Sequence, residues 1–294
     1  MSDHFIDEFN ALLQLVDEPD HAMYAMIEGR ILEHGYPMMP FLREALDNHF
    51  RENVLDRIHA LIHKINLKYI SEELLKWKQM GAGNLMHGLF LISKYQHPFA
   101  DIEDLKKQIS DLKYDIWIEI NNKLTILENI RVFNHVFYDV HGYKPNRTDY
   151  HNPLNSFIID VLNTKSGSPV LMASVYIIIA QMLGLPVYGV NLPEHFVCVV
   201  TNGKADDALT FLPKSAPLFY INAFSEGALF TKVQLSSFIK KLEIEERPEY
   251  FVPCKNEDII ARVLNNLINA YKKAGETHKQ EDILTIQSVF SKEG

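Results

Sequence analysis

The sequence predicts an α+β protein with a helical first third and a core that packs one buried helix on a small antiparallel sheet. Apolar residues recur at helical spacing up to about residue 95. Farther along, Ser168-Pro169 opens a strongly apolar helix. Three segments rich in Val, Tyr and Phe follow it between turn residues, at 186–191, 196–200 and 218–224. A helix packed on a largely antiparallel sheet is typical of α+β proteins.

The first third, residues 1–97, has the pattern of paired amphipathic helices. Six apolar stripes predict six separate helices, at residues 12–16, 23–31, 38–46, 54–65, 74–77 and 85–92. The turn Gly35-Tyr36-Pro37 stops one helix before the next begins. Helix pairs joined in this way resemble the units of a HEAT-type solenoid. No strict repeat period is visible, so an irregular helical bundle is the alternative.

A histidine pair lies within one of these stripes. His59 and His63 are four residues apart and share one helix face, a spacing that can hold a metal ion. The glutamate of a His-Glu-x-x-His zinc site is absent, because Ala60 follows His59. We therefore interpret the pair as the edge of a packed face and predict no metal site.

Helix start and stop signals define the elements of the middle region. Apolar spacing predicts a helix over 102–120. Capping boxes at Thr125-x-x-Glu128 and Thr231-x-x-Gln234 predict helices that end near residues 142 and 242. Asn155-Ser156 is suited to cap a short helix that reaches about residue 163. The helix that begins at Ser168-Pro169 is expected to end at Gly184.

Length and composition bound the function. At 294 residues the chain is long enough for two domains, and 47% hydrophobic residues suffice for a real core. The formal net charge of −9 argues against a nucleic-acid partner, because nucleic-acid binding depends on a basic surface. Lysine and arginine form no cluster larger than pairs such as Lys106-Lys107, Lys240-Lys241 and Lys272-Lys273, which lie on predicted helices and are typical of solvated helix faces.

The cysteine count indicates a reducing compartment. The two cysteines, Cys198 and Cys254, are too few for a disulfide framework or a four-ligand zinc site. The first residues lack a basic stretch followed by an apolar one, so we expect no signal peptide and a cytoplasmic location. The uncharged run 170–192 is interrupted by Gly184 and Pro186, and a buried helix followed by a strand explains it better than a membrane span.

Several ordered motifs point to a known family. They are DYHNPLNSF at 149–157, GSPV at 167–170 and LGLPVYGVNLPEHF at 183–196. Together they resemble the transglutaminase-like proteins of the Sir-B type over roughly residues 98–253. LNNL at 264–267 with Tyr271 and Gly275 resembles the TPR-like tail of such proteins. The resemblance implies a papain-like core at 98–253 and a TPR-like tail at 254–294 that forms a short C-terminal helical hairpin.

The resemblance also implies where a catalytic site would lie. Active members of the superfamily use a cysteine at the N-terminus of the central helix, with a histidine and an acid on the following strands. The matching positions in this chain are Pro169, His195 and Asn222. Proline offers no nucleophile, and Leu171 replaces the hydroxyl that relatives often carry two residues later. Asparagine can still orient an imidazole, but it lacks the negative charge with which aspartate would stabilise an imidazolium.

The remaining candidate groups have ordinary structural explanations beside functional ones. Ser168 is the hydroxyl nearest to the nucleophile position, and its structural role is that of a helix N-cap. Cys198 lies three residues after His195, so strand alternation places it on the opposite face. Cys254 is interpreted as an ordinary thiol without a catalytic role. Tyr188, His195 and Asn222 are the predicted ligand-binding residues, and no cofactor is expected.

Three functional hypotheses follow. The first is a non-catalytic protein that binds a peptide, a protein or a small ligand through a remnant cleft, in the manner of a pseudoenzyme. The second is an acyl transferase, amidase or peptidase-type enzyme in which His195 assists an unconventional nucleophile such as Ser168. The third is an interaction module whose core is only a spacer. The first predicts a protein or peptide partner and no membrane, and the sequence leaves the oligomeric state open.

Overall fold

The computed structural model describes residues 3–48, 51–203 and 216–290. Within these ranges the chain forms twelve α-helices, α1 to α12, and six short strands, β1 to β6. Their order confirms a helix-rich molecule with small sheets in its middle region. No described helix combines the length and the apolar composition that crossing a membrane requires.

The first five helices form the N-terminal region. They are α1 Asp3–Gln14, α2 His21–His34, α3 Met39–Asp47, α4 Glu52–Gln79 and α5 Leu85–Ser93. Side chains from α1 to α4 build a first hydrophobic cluster between Phe9 and Ile65. The region is helical as predicted, whereas its organisation into HEAT-type units stays a prediction.

One prediction for this region is wrong. The stripes at 54–65 and 74–77 belong to a single helix, α4, which is 28 residues long. No glycine or proline interrupts it, and its central polar residues Asn66 and Ser71 each make a hydrogen bond to a backbone carbonyl. Asn66 Nδ2 donates to the carbonyl of Lys94 at 2.7 Å, and Ser71 Oγ donates to the carbonyl of Leu67 at 2.9 Å.

The core begins with four helices, α6 Ile102–Trp117, α7 Ile126–Asn134, α8 Ile158–Thr164 and α9 Pro169–Met182. The predicted start signals of α7 and α9 are confirmed. The predicted Asn155-Ser156 cap of α8 is wrong, because both residues belong to the preceding 3-10 turn Pro153–Ser156, and Phe157 is the N-cap of α8 without a side-chain bond. The Thr125 capping box is complete: Glu128 N donates to Thr125 Oγ1, and Thr125 N donates to Glu128 Oε2. After α7 the chain continues as a π-helical turn, His135–Val140. Helix α9 is buried along its length from Val170 to Ala180, as expected for a central helix.

Two sheets accompany these helices. Strands β1 Lys144–Pro145 and β2 Ser166–Gly167 pair in parallel. The larger sheet is antiparallel in the order β3-β4-β5-β6, formed by Val187–Asn191, Phe196–Thr201, Pro217–Asn222 and Ala228–Phe230. The third predicted strand stops at Asn222 rather than at residue 224, because the Asn222 side chain caps a 3-10 turn over Ala223–Ser225.

The larger sheet lies between two helices. Alternate residues of β4 face opposite sides: Phe196, Cys198 and Val200 join the core cluster that contains α9. Val197 and Val199 instead join an outer cluster with Leu235 and Ile239 of α10, Lys232–Lys241.

The last two helices pack against the core. Helices α11 Asn256–Ala274 and α12 Thr277–Phe290 form a helical pair. The largest hydrophobic cluster runs from Ile70 in α4 to Phe290 in α12 and includes α9 and the inner face of the sheet. The C-terminal helices and the sheet therefore share one hydrophobic core.

Candidate functional site

An apolar cavity of about 260 Å³ lies where the N-terminus of α9 meets the ends of β4 and β5 and the side of α10. We call it the apolar cavity. Its lining consists of Pro169, His195, Phe196, Val197, Asn222, Phe224, Phe230, Gln234, Leu235 and Phe238.

Three residues of this lining are the positions that the family resemblance singled out. Pro169 is the first residue of α9, and Asn222 is the last residue of β5. His195 precedes β4 directly after a tight turn. Leu192 and His195 exchange both backbone hydrogen bonds across that turn, at 3.1 and 3.3 Å, and Glu194 takes a positive φ of 57°. The fold thus brings all three positions to one cavity.

The imidazole of His195 is held by packing. Its ring contacts the edge of Phe238, with centroids 4.9 Å apart and planes at 69°. Neither ring nitrogen makes a hydrogen bond to a residue that the structure describes. Partial burial lowers the pKa of His195, because desolvation disfavours the charged ring. The ring is therefore available to a ligand in its neutral form, with one donor and one acceptor.

Asn222 does not orient this imidazole. Its Oδ1 accepts a hydrogen bond from the backbone amide of Phe224 at 3.0 Å. A backbone N–H can only donate, so the side-chain oxygen of Asn222 must face Phe224, and its amide nitrogen remains available as a donor. The chemistry of a Cys-His-Asn site, in which the asparagine oxygen supports the histidine, is not assembled here.

The side chain of Gln234 is bonded in the same way as that of Asn222, through its oxygen. Its Oε1 accepts from the backbone amide of Thr231 at 2.8 Å and from Thr231 Oγ1 at 3.1 Å. The amide nitrogens of Asn222 and Gln234 make no hydrogen bond within the described part of the chain. The apolar cavity therefore offers two amide donors and one imidazole on a wall that is otherwise apolar.

Ser168 lines a different cavity. This polar cavity, of about 190 Å³, is lined by Tyr150, His151, Asn152, Ser156, Ser168, Asn266, Asn269, Ala270 and Lys273. Ser168 Oγ accepts from the amide of Leu171 at 3.5 Å, and Ser168 is the N-cap of α9, as predicted. No hydrogen bond joins Ser168 to His195 among the described residues, so the geometry does not pair them as nucleophile and base.

Tyr188 also lies away from the apolar cavity. It is on β3, opposite Val199 of β4, and it packs against the outer cluster beside α10. It does not line the apolar cavity with His195 and Asn222. The structure thus brings two of the three predicted ligand-binding residues together and places the third on the outer face of the sheet.

Neither thiol lines the apolar cavity. Cys198 is fully buried under α9, with Sγ 4.0 Å from the carbonyl of Ala173, on the inner face of the sheet. Burial raises the pKa of Cys198 and raises that of Cys254 to about 12. Both thiols are therefore protonated at neutral pH and are poor nucleophiles.

The histidine pair of α4 is not part of a metal cluster. His59 is exposed, and His63 Nε2 lies 3.1 Å from Asp282 Oδ2 of α12. Throughout the described ranges, no three His, Cys, Asp or Glu side chains come together in a way that could hold a metal ion.

Sequence reasoning missed most of the lining. Phe224, Phe230 and Phe238 have the spacing of ordinary core residues, and nothing in the sequence distinguishes a phenylalanine beside a cavity from one inside a core. Gln234 was identified only as a capping residue. Phe238 differs from a core residue only in being 37% exposed, which the structure alone shows.

Comparison with known proteins finds relatives of two kinds. The chain is 25% identical over 218 residues to F-box only protein 21 of Homo sapiens, which covers 65% of this chain and 33% of that protein. It is 23% identical over 198 residues to the UPF0162 protein of Xylella fastidiosa (strain 9a5c), which covers 64% of each. The chain thus spans about a third of the length of the F-box relatives that it matches. No solved structure matches it.

A family model gives the broader assignment. The model of the transglutaminase-like superfamily matches residues 103–265, which is more than half of the 294 residues. The matched range contains α9, the larger sheet and the apolar cavity. The chain therefore belongs to the transglutaminase-like superfamily.

Proposed function

We propose that this protein is a non-catalytic transglutaminase-like protein of the Sir-B type that binds a peptide segment of another protein in the apolar cavity. The observation that carries the proposal is the chemistry of the lining. Pro169 occupies the position of the nucleophile beside His195. None of the described lining residues carries a hydroxyl, thiol, amine or carboxylate group. A histidine without such a partner can bind a ligand but lacks a nucleophile to activate.

The lining favours an apolar or aromatic side chain flanked by peptide carbonyls. Phe224, Phe230 and Phe238 provide edges and faces that pack well against another ring. The amide nitrogens of Asn222 and Gln234 are donors, and peptide carbonyls are the matching acceptors. Apolar walls with a few placed polar groups are typical of ligand-binding cavities.

Two further observations support the proposal. An interaction module whose core is only a spacer predicts a filled cleft, and a cavity of about 260 Å³ argues against that hypothesis. The two cysteines are both free, which suits a protein that meets its partner in a reducing compartment such as the cytoplasm.

The test is a selection from a displayed library of short random peptides against the full chain. Selected peptides are then titrated calorimetrically against the unmodified protein, Phe238→Ala and Val233→Ala. Val233 is the matched control, because it is on the same helix, is 75% exposed and does not line the cavity. We expect aromatic or apolar consensus residues, affinity about tenfold weaker in Phe238→Ala, and no change in Val233→Ala.

The same samples decide between binding and catalysis. After prolonged incubation, the selected peptides should keep their intact masses. A cleaved or acylated peptide would favour the enzyme hypothesis. Selected peptides whose affinity is the same for Phe238→Ala and the unmodified chain would show that binding occurs elsewhere.

A further inference from the structure

The polar cavity is formed by two segments that the proposed function does not use. One is the loop 149–157, and the other is the face of α11 that carries Asn266, Asn269 and Lys273. At about 190 Å³ the cavity is smaller than the roughly 300–1,000 Å³ that drug-sized ligands occupy. It has room for one small polar group.

The loop wall of the polar cavity is fixed in place by hydrogen bonds. Asn155 Nδ2 donates to the carbonyls of Asp149 and Tyr150, at 2.7 and 3.2 Å. The carbonyl of Asn155 accepts the amide of Ser168 at 3.0 Å, which ties the loop to the start of α9. Asn155 is itself buried. The wall is therefore organised before any ligand arrives.

The cavity contains donors that have no partner. Ser156 is 4% exposed, and its hydroxyl makes no hydrogen bond to any residue of the described ranges. The hydroxyl of Ser168 accepts a bond from Leu171 but has no described acceptor for its own hydrogen. The side-chain amides of Asn266 and Asn269 are also unbonded within the described residues. Ser156 and Ser168 are buried, whereas Asn266 is half-buried and Asn269 is exposed. Buried polar groups normally find a partner, so the two serine hydroxyls in particular suit an acceptor from outside.

The cavity carries one positive charge. Lys273 Nζ lies 2.9 Å from His151 Nε2. An ammonium group can only donate, so Nε2 accepts and the ring proton of His151 lies on Nδ1. No carboxylate of the described residues pairs with Lys273, and none lines the cavity. A ligand with one negative charge and several acceptor positions matches this set of groups.

The polar and apolar cavities adjoin at two places. Ser168 lines the first and Pro169, the next residue, lines the second. Tyr150 of the polar cavity also contacts Phe224 of the apolar cavity edge to face, with centroids 6.0 Å apart and planes at 81°. The two cavities are therefore close neighbours.

We propose that the polar cavity is a subsite for a carboxylate of the peptide whose apolar side chain enters the apolar cavity. This inference rests on the proposed function. Lys273 supplies the charge, and Ser156 with Asn266 supplies neutral donors, which suits a carboxylate. The carboxylate belongs either to the C-terminus of the bound chain or to an Asp or Glu beside the apolar residue.

The test titrates the ¹⁵N-labelled full chain with three probes and measures the backbone amide shifts by NMR. They are acetyl-Phe-Gly with a free carboxylate, acetyl-Phe-Gly-amide, and acetyl-Phe-Asp-amide with a side-chain carboxylate. We expect the amide probe to shift only resonances around the apolar cavity. At least one carboxylate probe should also shift Ser156, Asn266 and Lys273 and bind about tenfold tighter. The tighter of the two identifies the source of the carboxylate.

Variants isolate the charge. Lys273→Gln should weaken the carboxylate probe about tenfold and leave the amide probe unchanged. Lys272→Gln is the matched control, since it removes the same charge from an exposed neighbour outside the cavity. Ser156→Ala should weaken the carboxylate probe in the same selective way.

The outcomes separate this inference from the proposed function. Equal affinities for all three probes, with shifts only at the apolar cavity, would overturn the subsite and leave the proposed function standing. Carboxylate-dependent shifts at the polar cavity alone would keep the carboxylate site and overturn the peptide cavity. Absence of shifts at both cavities would overturn both.

Discussion

Pro169 is the residue on which the account depends most. It sits at the first position of α9, where a backbone N–H would have no intrahelical acceptor, so the proline is well tolerated. The position also lies at the positive end of the helix dipole and on the wall that His195 shares. A thiol at this position would have the surroundings that lower a thiol pKa, whereas the two native thiols do not.

Replacing Pro169 with cysteine should therefore create a reactive thiol. In Pro169→Cys, we expect iodoacetamide to modify the new thiol at least about tenfold faster than Cys198 or Cys254, because burial raises the pKa of both native thiols. Mass spectrometry of proteolytic peptides measures the three rates. Adding His195→Ala should slow the new thiol alone. A new thiol no faster than Cys254 would show that the cavity is not a remnant Cys-His site.

Lys94 is a second residue with a measurable consequence. It is 3% exposed, and its ammonium donates to the carbonyl of Ala100 at 3.1 Å. Burial lowers the pKa of Lys94 to about 8, because desolvation disfavours the charged amine. At a pH between this native pKa of about 8 and the ordinary pKa of 10.5, Lys94 is protonated in the unfolded chain but not in the native chain. The free energy of unfolding contributed by Lys94 must therefore rise with pH across that window.

Comparison with Lys94→Met isolates this contribution. From neutral pH to about pH 9.5, the free energy of unfolding of the unmodified chain should gain about 1–2 kcal/mol relative to Lys94→Met. Urea denaturation at several pH values measures the difference, and other titrating groups cancel because both chains share them. A difference that is constant with pH, or that falls, would show that Lys94 is not desolvated in the native state.

At the scale of elements, the turn between β5 and β6 is held against the core by one asparagine. Asn134 Nδ2, at the end of α7, donates to the carbonyl of Gly227 at 2.9 Å, and its Oδ1 accepts from Tyr176 of α9 at 2.8 Å. This contact fixes the turn that follows Asn222 and positions β6, which carries Phe230 to the apolar cavity.

Gly227 should tolerate a side chain less well than Gly184. Both have a positive φ, 72° and 75°, which disfavours alanine by about 1–2 kcal/mol. A Cβ on Gly227 would lie 2.5 Å from Asn134, whereas a Cβ on Gly184 would meet nothing within 4 Å. Gly227→Ala should therefore lower the free energy of unfolding by about 1–3 kcal/mol more than Gly184→Ala. Equal losses in chemical denaturation would mean that Asn134 does not hold the turn.

Elements with local signals were predictable from the sequence. Both capping boxes, the Ser168-Pro169 helix start and the three predicted strands depend on neighbouring residues, and the structure contains all of them. The β1–β2 pair and β6 were not predicted, because they are two or three residues long and depend on distant partners. The convergence of Pro169, His195 and Asn222 followed from the family resemblance. The free amides and the aromatic wall needed the three-dimensional contacts.

At the scale of the whole molecule, the C-terminal helices complete the main core. Ile283 and Ile286 of α12 are fully buried in the cluster that also contains α9. Lys78 Nζ donates to the carbonyl of Phe290 at 2.7 Å, and Tyr95 Oη donates to Asp282 Oδ2 at 2.7 Å. The tail is therefore bound to the N-terminal part of the core by apolar and polar contacts.

A buried residue of α12 should accordingly contribute to global stability. Ile283→Ala should lower the free energy of unfolding by about 2–4 kcal/mol, both in circular dichroism and in the fluorescence of buried Trp77, measured in a Trp117→Phe background because Trp117 is the second tryptophan. Leu284→Ala is the matched control, because it removes a neighbouring side chain that is 42% exposed. It should change the free energy of unfolding by less than about 0.5 kcal/mol. An unchanged unfolding midpoint of Trp77 in Ile283→Ala would mean that the tail unfolds independently.

The central claim is that this transglutaminase-like chain contains no activated nucleophile and uses its cavity for binding. The most direct measurement treats the chain at neutral pH with a fluorophosphonate and with iodoacetamide and locates adducts by mass spectrometry. His195→Ala and, as the exposed-histidine control, His135→Ala are treated in parallel. We predict no serine adduct and slow thiol labelling at the same rate in all three proteins. Rapid labelling of Ser168, Cys198 or Cys254 that is lost only in His195→Ala would contradict the claim.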